Sequence, residues 1–388
     1  MPPRPADGTR LFLLDEAGLL FSEPRQELHA LNHSAAFIWC CLEEGMAEAA
    51  IGTALAELFG LPAAEADRFV RDSLAQWRDL GLLAGSDRPI ANRAPVAIPQ
   101  GHGIERPDSM FAKRRLYRLL DSTLLIRFAE PAQVARVHPV LAHLAVGDGA
   151  PDVTFDLLSG PDGHEVHRDG AALGRTSLDG LAPLVKSQVW VTAINHARYF
   201  LYIHAGVLGA DDGCLLLPAP SGSGKSVLTL ALARAGLIYL SDEAALLAPG
   251  SLSVRPVPLS PAVKAGGWDL LASRYPALAG LPIHLREDGK RVRYLPPPAL
   301  QGRADGWTAR WLVFPRYDAA AETALLPLSR VEALHRIMAE CMAIPAALDR
   351  QNVADLVAWM SGLACFELPM SDLDQAVALV RQLVRPRE

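Results

Sequence analysis

Residues 204–243 read HAGVLGADDGCLLLPAPSGSGKSVLTLALARAGLIYLSDE, and the order of residue types in this stretch organises the rest of the chain. Cys214-Leu215-Leu216-Leu217 is a short, wholly apolar run of the kind that forms a buried strand. Pro218 to Ser223 breaks it and reads as loop. Val227 to Ala235 consists of good helix formers, and Gly236 stands where a helix stops. Leu237-Ile238-Tyr239-Leu240 is a second apolar run, ending on Ser241-Asp242-Glu243. Strand, glycine-rich loop, helix and strand, with Gly-Lys-Ser at the helix start, is the context of a phosphate-binding P-loop.

The chemistry follows from the residue types. Glycines let backbone N–H groups turn inward around phosphate oxygens, and the helix N-terminus adds partial positive charge. The expected nucleotide-binding set is Ser221, Gly222, Ser223, Gly224, Lys225, Ser226 and Val227. Lys225 would reach the β- and γ-phosphates of ATP or GTP, and the Ser226 hydroxyl would ligate Mg²⁺. The strict pattern begins with glycine where this chain has Ala219, so Ala219 must sit at a backbone angle an L-residue tolerates.

Composition bounds the rest. At 388 residues, half of them hydrophobic, the chain holds two or three domains with ample core. A net charge of −6 and a pI near 6.0 argue against an extended nucleic-acid surface. Five cysteines without a CxxC pair fit a reducing cytoplasm. The start, MPPRPADGTR, has no apolar segment of a secretory signal, and no run of apolar residues is long enough to span a membrane. A cytoplasmic protein without membrane or nucleic-acid partners is the expectation; a homo-oligomer stays open.

Toward the N-terminus, Leu11-Phe12-Leu13-Leu14 and Leu19-Leu20-Phe21 flank a turn at Asp15-Glu16-Ala17-Gly18. Glu27 to Leu31 makes a third strand, and Asn32 or Ser34 can cap the helix that follows. Helices are expected at 35–44, 47–59 and 63–80, the last with Phe69, Val70, Leu74 and Trp77 on one face. Trp39 and Trp77 read as core. Arg68, Arg71 and Arg78 alternate with Glu65, Asp67, Asp72 and Asp79, which disfavours DNA binding. Three strands and three helices make an α+β winged-helix-like module over 1–85. Its hairpin, the phrase HALNHSAAFIW (29–39) and the terminal WRDLGLL (77–83) resemble the PqqD family, the peptide-recognition elements of ribosomal-peptide biosynthesis. The resemblance implies that the leader of a precursor peptide adds as a strand beside the third helix. That places the groove between the strand at residues 19–23 (Leu19 to Glu23) and the helix at residues 68–77 (Arg68 to Trp77). A generic winged helix that only packs on the next domain is the alternative.

Prolines and glycines at 86–110 read as linker. Residues 111–203 alternate strands and helices without a catalytic motif, and are expected to extend the sheet that carries the P-loop. His204 opens one buried strand and Asp242 ends another, so both side chains are expected at the sheet edge where ligands of open α/β sheets bind. An Asp there can deprotonate a hydroxyl or bind Mg²⁺, and Glu243 can share that work.

His204, APSGSGKS (219–226) and Ser241-Asp242-Glu243 together resemble the HPr kinase/phosphorylase family. The resemblance is specific over 204–243 and looser over the rest of 111–388, and implies an α/β P-loop kinase fold like that family's C-terminal domain. It implies Asp242 as catalytic base, Glu243 near Mg²⁺, and His204 near the transferred phosphate. Ala219 and Glu243 depart from the family's glycine and second aspartate, and no L-E-[IV]-R-G-L-G word is present. The chain is closer to the branch associated with ribosomal peptides, including the lasso-peptide kinases. Downstream, Lys264, Trp268 and Asp269 fall in a substrate loop or capping helix. Lys290 or Arg291, with Arg293 behind them, would supply charge to a migrating phosphoryl group, or else form a solvated hairpin.

The sequence thus predicts a kinase that phosphorylates a Ser or Thr hydroxyl of a precursor peptide recruited through its leader. The alternatives are a small-molecule kinase, a non-catalytic nucleotide-binding regulator, and a winged-helix DNA-binding regulator with a nucleotide sensor.

Overall fold

A computed structural model of the chain describes residues 3–86, 106–297, 306–340, 342–344 and 346–385. Most of the expected linker, 87–105, lies outside the described residues, as does Cys341. The described residues form two compact units. The first takes in residues up to 86 together with Arg310–Leu312 and Leu326–Phe366. The second takes in residues 106–309, Val313–Leu325, and those from Glu367 on. The residues at 326–366, which the sequence reading assigned to the C-terminal domain, therefore group with the N-terminal module. No helix among the described residues is long and apolar enough to cross a membrane.

In the first unit β1 (Thr9–Leu14), β2 (Ala17–Ser22) and β3 (Glu27–Leu31) form an antiparallel meander with β2 in the middle. Helices α1 (His33–Glu43), α2 (Glu48–Phe59) and α3 (Ala63–Asp79) follow. The Asn32 side chain accepts from the Ala35 N–H and starts α1, and Gly60 ends α2 in the left-handed region. Ala66, Val70, Leu74 and Trp77 face the core from α3, and Trp77 meets Trp39 edge-on at 5.0 Å. Phe69, expected on that face, is exposed instead, beside the Arg68 guanidinium.

The second unit opens with β4 (Lys113–Leu119), β5 (Ser122–Phe128), α4 (Pro131–Leu141), β6 (Ala145–Val146), β7 (Val153–Gly160), β8 (Gly163–Arg168) and β9 (Ala171–Thr176). These strands make a sheet of their own, in the order β6-β4-β5-β7-β8-β9. The expectation that they extend the P-loop sheet is not met. The long helix α5 (Leu178–His196) gives the physical reason: its Leu181, Val185 and Val189 join Tyr117, Phe128 and Phe155 in one core, which closes that sheet's apolar face.

The sheet that carries the glycine-rich 219–224 loop follows, with β10 (Leu201–Ile203) just before it. β11 (Ala205–Ala210) runs antiparallel to both β12 (Gly213–Pro218) and β13 (Ile238–Ser241). Helix α6 (Lys225–Arg234) connects these last two strands. Beyond it, β14 (Ala245–Leu247) and β15 (Val254–Arg255) pair alongside β10. A small sheet of β16 (Ala262–Lys264), β17 (His284–Leu285) and β18 (Arg291–Tyr294) surrounds α7 (Trp268–Ala272) in sequence. β19 (Ala309–Tyr317) then lies next to β12.

The chain next supplies β20 (Leu326–Pro327), α8 (Arg330–Glu340), β21 (Met342–Ala343) and α9 (Arg350–Ser361) to the first unit. Arg330 pairs with Asp15 at 2.8 Å, and Gln26 exchanges two hydrogen bonds with the Leu348 backbone. Last come β22 (Ala364–Met370), beside β19, and α10 (Leu373–Leu383), capped by Asp372.

Helix α6 lies so close to β11 that a Cβ on Gly206 would stand 2.2 Å from Thr229 Oγ1. The same Thr229 hydroxyl donates to the Lys225 carbonyl. Gly206→Ala should therefore push the phosphate-loop helix off its strand and cost about 1–3 kcal/mol by overpacking. In urea unfolding the Gly206→Ala/Thr229→Ala pair should cost less than the sum of the two single changes. Strict additivity would refute the close-approach account.

Candidate functional site

Strand register brings the predicted residues to one edge of the P-loop sheet. Ala205 pairs with Pro218 and Val207 with Ser241. The start of β11 thus lies beside the ends of β12 and β13. His204, the 219–224 loop and Asp242-Glu243 all emerge there. On the other flank of β12, Cys214 N–H donates to Thr308 O and Tyr317 N–H to Ser223 O, so β19 runs in the same direction and ends at the same loop. The Asp318 N–H in turn donates to Met370 O, which fixes the end of β22 there. Gly222 and Gly224 take φ of 101° and 87°, the left-handed angles that suit glycine. A Cβ on Gly224 would also meet Met370 Cε at 2.6 Å. Ala219 is not among the non-glycine residues with positive φ, which explains how the loop forms without its first glycine.

Four charged groups are packed against one another at this edge. Lys225 Nζ lies 2.7 Å from His204 Nε2, and His204 Nδ1 lies 2.9 Å from the Glu243 carbonyl oxygen. A carbonyl only accepts, so Nδ1 carries the proton and Nε2 accepts from the Lys225 ammonium. His204 is thus neutral, consistent with a pKa lowered by burial and by the Lys225 charge. Lys186 on α5 donates to Glu243 Oε1 at 3.0 Å. Its charge is the main cause holding Glu243 down to about 2. Asp242 is the opposite case: burial, then the neighbouring Glu243 charge, push it up to about 7. It is 4% exposed. Lys225 and Ser226 oppose this rise, and Oδ1 is buried with no hydrogen-bond partner among the described residues.

Around these groups opens a cavity of about 490 Å³, within the size range of small-molecule sites. Ser221, Gly222, Gly224, Lys225, Ser226, Val227, His204, Asp242 and Glu243 line it. Ser223 does not; its carbonyl is taken by the Tyr317 backbone. Lys290 and Arg291 are likewise not on the wall. Lys290 pairs with Asp288 at 2.9 Å, and the Arg291 guanidinium stands 5.6 Å from the Trp268 ring. The cations that do reach the cavity are Lys264, which donates to Ser221 Oγ at 2.8 Å, and Arg286 from the same hairpin as Lys290. Sequence reading missed Lys186 and Arg286 and placed Lys264 only in a loop; a lone Lys inside an apolar helix was the one available signal for Lys186.

The donor set suits a single divalent cation held partly by substrate. No group of three His, Cys, Asp or Glu side chains among the described residues is placed to hold a metal by itself. Mg²⁺ beside phosphates needs only one or two protein oxygens. Ser226 and one carboxylate oxygen of Asp242, both on the cavity wall, fit that requirement. Glu243, expected as a ligand, is already paired with Lys186.

In the first unit the expected leader groove requires correction. Residues 19–23 belong mostly to β2, which is hydrogen-bonded to β1 on one side and β3 on the other and so offers no edge for another strand. The edge flanked by α3 is β3. There Leu28, Ala30, Gln76 and Trp77 line a cavity of about 360 Å³, and His335 and Met338 of α8 complete its wall.

Comparison with known proteins bears on the N-terminal module. Residues 12–83 match the family model of coenzyme PQQ synthesis protein D (PqqD), so the N-terminal module is a PqqD domain. A solved chain described as TbiB1 in complex with the TbiA(beta) leader peptide is 23% identical over 21% of this chain and 95% of its own, at a TM-score of 0.21. No curated protein matches the chain.

The buried acid has a consequence for stability. Because the folded-state pKa of Asp242 is raised from 3.8 to about 7, the native state holds a proton that the unfolded chain releases. Stability is therefore lost as pH rises through that interval, and the penalty is complete above it. Asp242→Asn should be more stable than the natural chain near pH 8, by on the order of 1–3 kcal/mol. The gap should shrink as pH falls below about 7. Thermal unfolding across that range checks the sign; a variant less stable at the alkaline end would contradict it.

Proposed function

We propose that the chain is an ATP-dependent phosphotransferase that phosphorylates a Ser or Thr hydroxyl of a ribosomally made precursor peptide, recruited through the PqqD domain. One observation carries the reading: a buried carboxylate with an unpartnered oxygen stands at a phosphate-binding loop, beside its lysine and its serine. A carboxylate oxygen with no hydrogen-bond partner keeps its lone pairs for a proton from a substrate hydroxyl, and burial has raised its affinity for one into the working range of a base near neutral pH.

In this reading the hydroxyl oxygen attacks the γ-phosphorus. The bond from that phosphorus to the β,γ-bridging oxygen breaks, ADP leaves, and the hydroxyl proton passes to Asp242 Oδ1. Lys225 moves from His204 to the phosphate oxygens, and His204 keeps its Nδ1 proton on the Glu243 carbonyl throughout. Mg²⁺ at Ser226 and the second oxygen of Asp242 would offset the charge on the β- and γ-phosphates. Lys186 keeps Glu243 ionised, and Glu243 in turn raises the basicity of Asp242. Recruitment through the leader raises the local concentration of the acceptor segment, so the transfer site itself need read little sequence.

Candidate precursors incubated with the protein and Mg·ATP should gain the mass of one phosphate. Asp242→Asn should slow the transfer by roughly 10²–10⁴ while ATP remains bound. Excess free leader peptide should suppress transfer by competition. Competition is preferable to deleting the N-terminal module, which would strip α8 and α9 of their packing partners. Transfer at the natural rate by Asp242→Asn, or ATP binding with no peptide phosphorylated, would sink the proposal.

A further inference from the structure

The cavity at the phosphate loop has two unlike halves. On one flank of β12 lie the acid and the cations: His204 before β11, Asp242 after β13, and Lys264 bonded to Ser221. On the other flank the wall is apolar. Tyr317 ends β19, Met370 ends β22, and Leu373 opens α10. Val227 at the start of α6 and Leu270 on α7 add further apolar surface to the wall. Tyr317 is 57% exposed, an unusual state for an aromatic side chain whose backbone is tied to the phosphate loop. Exposed aromatic and aliphatic surface beside a concave polar site is a feature that calls for a ligand rather than for the fold.

The polarity of the phosphate site decides which part of a ligand goes where. The transferred phosphate must lie next to Asp242, because its Oδ1 is the carboxylate oxygen that is buried without a hydrogen-bond partner among the described residues. The acceptor hydroxyl must approach from that side. A triphosphate running through the loop then carries its nucleoside away from Asp242, toward β19 and β22. We infer that the apolar half formed by Val227, Leu270, Tyr317, Met370 and Leu373 is a purine-base site, with Tyr317 as its stacking face. This rests on the nucleotide reading given above and extends it to the base.

The same wall sets the selectivity. Guanine is distinguished from adenine by a fixed acceptor that takes its N1–H and amino protons, commonly a carboxylate. The carboxylate on this flank is Asp372, and it is used as the cap of α10, accepting from the Gln375 N–H at 2.8 Å. Ser371 is engaged with Thr323, whose hydroxyl accepts from its backbone N–H at 3.0 Å. The cap holds Asp372 in the orientation that serves the start of α10, and stacking on Tyr317 accepts either purine.

The test uses the full chain and three ligands: ATP, GTP and inorganic tripolyphosphate, each with binding measured by calorimetry. The natural protein should bind ATP and GTP within about tenfold of each other, as stacking without edge readout requires. Tyr317→Ala should weaken both by about tenfold, the scale of a lost stacking contact, and leave tripolyphosphate within about twofold. Tyr317→Phe should restore purine binding. If Tyr317→Ala leaves ATP and GTP unchanged, or weakens tripolyphosphate equally, the base site is refuted while the phosphate site stands. If the natural protein binds neither tripolyphosphate nor ATP, the nucleotide reading falls and the base site falls with it.

Discussion

The Lys225–His204 contact is the interaction on which the site depends. A lysine at the start of α6 is 6% exposed, and without a partner its ammonium would be very costly to bury. His204 solves this by offering a neutral acceptor, and it stays neutral because its other nitrogen is committed to the Glu243 carbonyl. That carbonyl is held in turn by the turn after β13, where the Ser241 hydroxyl takes the N–H groups of Glu243 and Ala244. One chain of bonds therefore runs from the phosphate-loop helix across β11 to the acid pair. The lysine is stored on a weak, neutral partner, from which a phosphate oxygen with full charge can draw it.

The two acids show how burial and pairing pull neighbouring groups apart. Asp242 and Glu243 are consecutive in sequence and both line the cavity. Lys186 selects between them: it sits on Glu243, so that residue stays ionised, and Asp242 is left to bear both desolvation and its neighbour's charge. Adjacent carboxylates with separated affinities for a proton are the arrangement from which acid–base assignments are made. Removing Lys186 would leave two buried carboxylates competing for one proton. Its place deep in α5, 57 residues from its partner, makes it part of the second unit's core as well as of the site.

How much of this was legible in the sequence depends on the range of the interaction. The phosphate loop could be read because strand, glycines and helix are contiguous, and their angles are a local property of those residues. The convergence of His204 and Asp242 could be read because it needs only that three short strands share an edge. Edge against centre could not: the strand at residues 19–23 has the pattern of any half-buried strand, and only the pairing on both its sides shows that it is β2, in the middle. The separate sheet of β4 to β9 was hidden for the same reason, since alternation along a strand does not say which sheet it joins. The basic hairpin at 286–293 was visible as charge, but the path of the turn between β17 and β18 decides which of its cations reach the cavity. Arg286 does so, whereas Lys290 turns to Asp288.

In the proposed reading, a site for a polyanion inside an acidic chain must be built locally. The net charge of −6 repels phosphate at long range, yet Lys225, Lys264 and Arg286 converge on one loop, and Lys186 neutralises one of the two acids near it. Had the site been selected only to hold phosphate, Asp242 would be a defect. It brings negative charge to the place where more is to arrive, and its desolvation destabilises the fold. A residue that costs both binding and stability persists where it does something that neither requires. With Ser226 beside the carboxylate and one oxygen buried without a partner, the tasks it can perform in the proposed reading are to hold a cation and to take a proton. Both are tasks that the proposed phosphoryl transfer needs and nucleotide storage does not, which is why the proposal is an enzyme rather than a sensor.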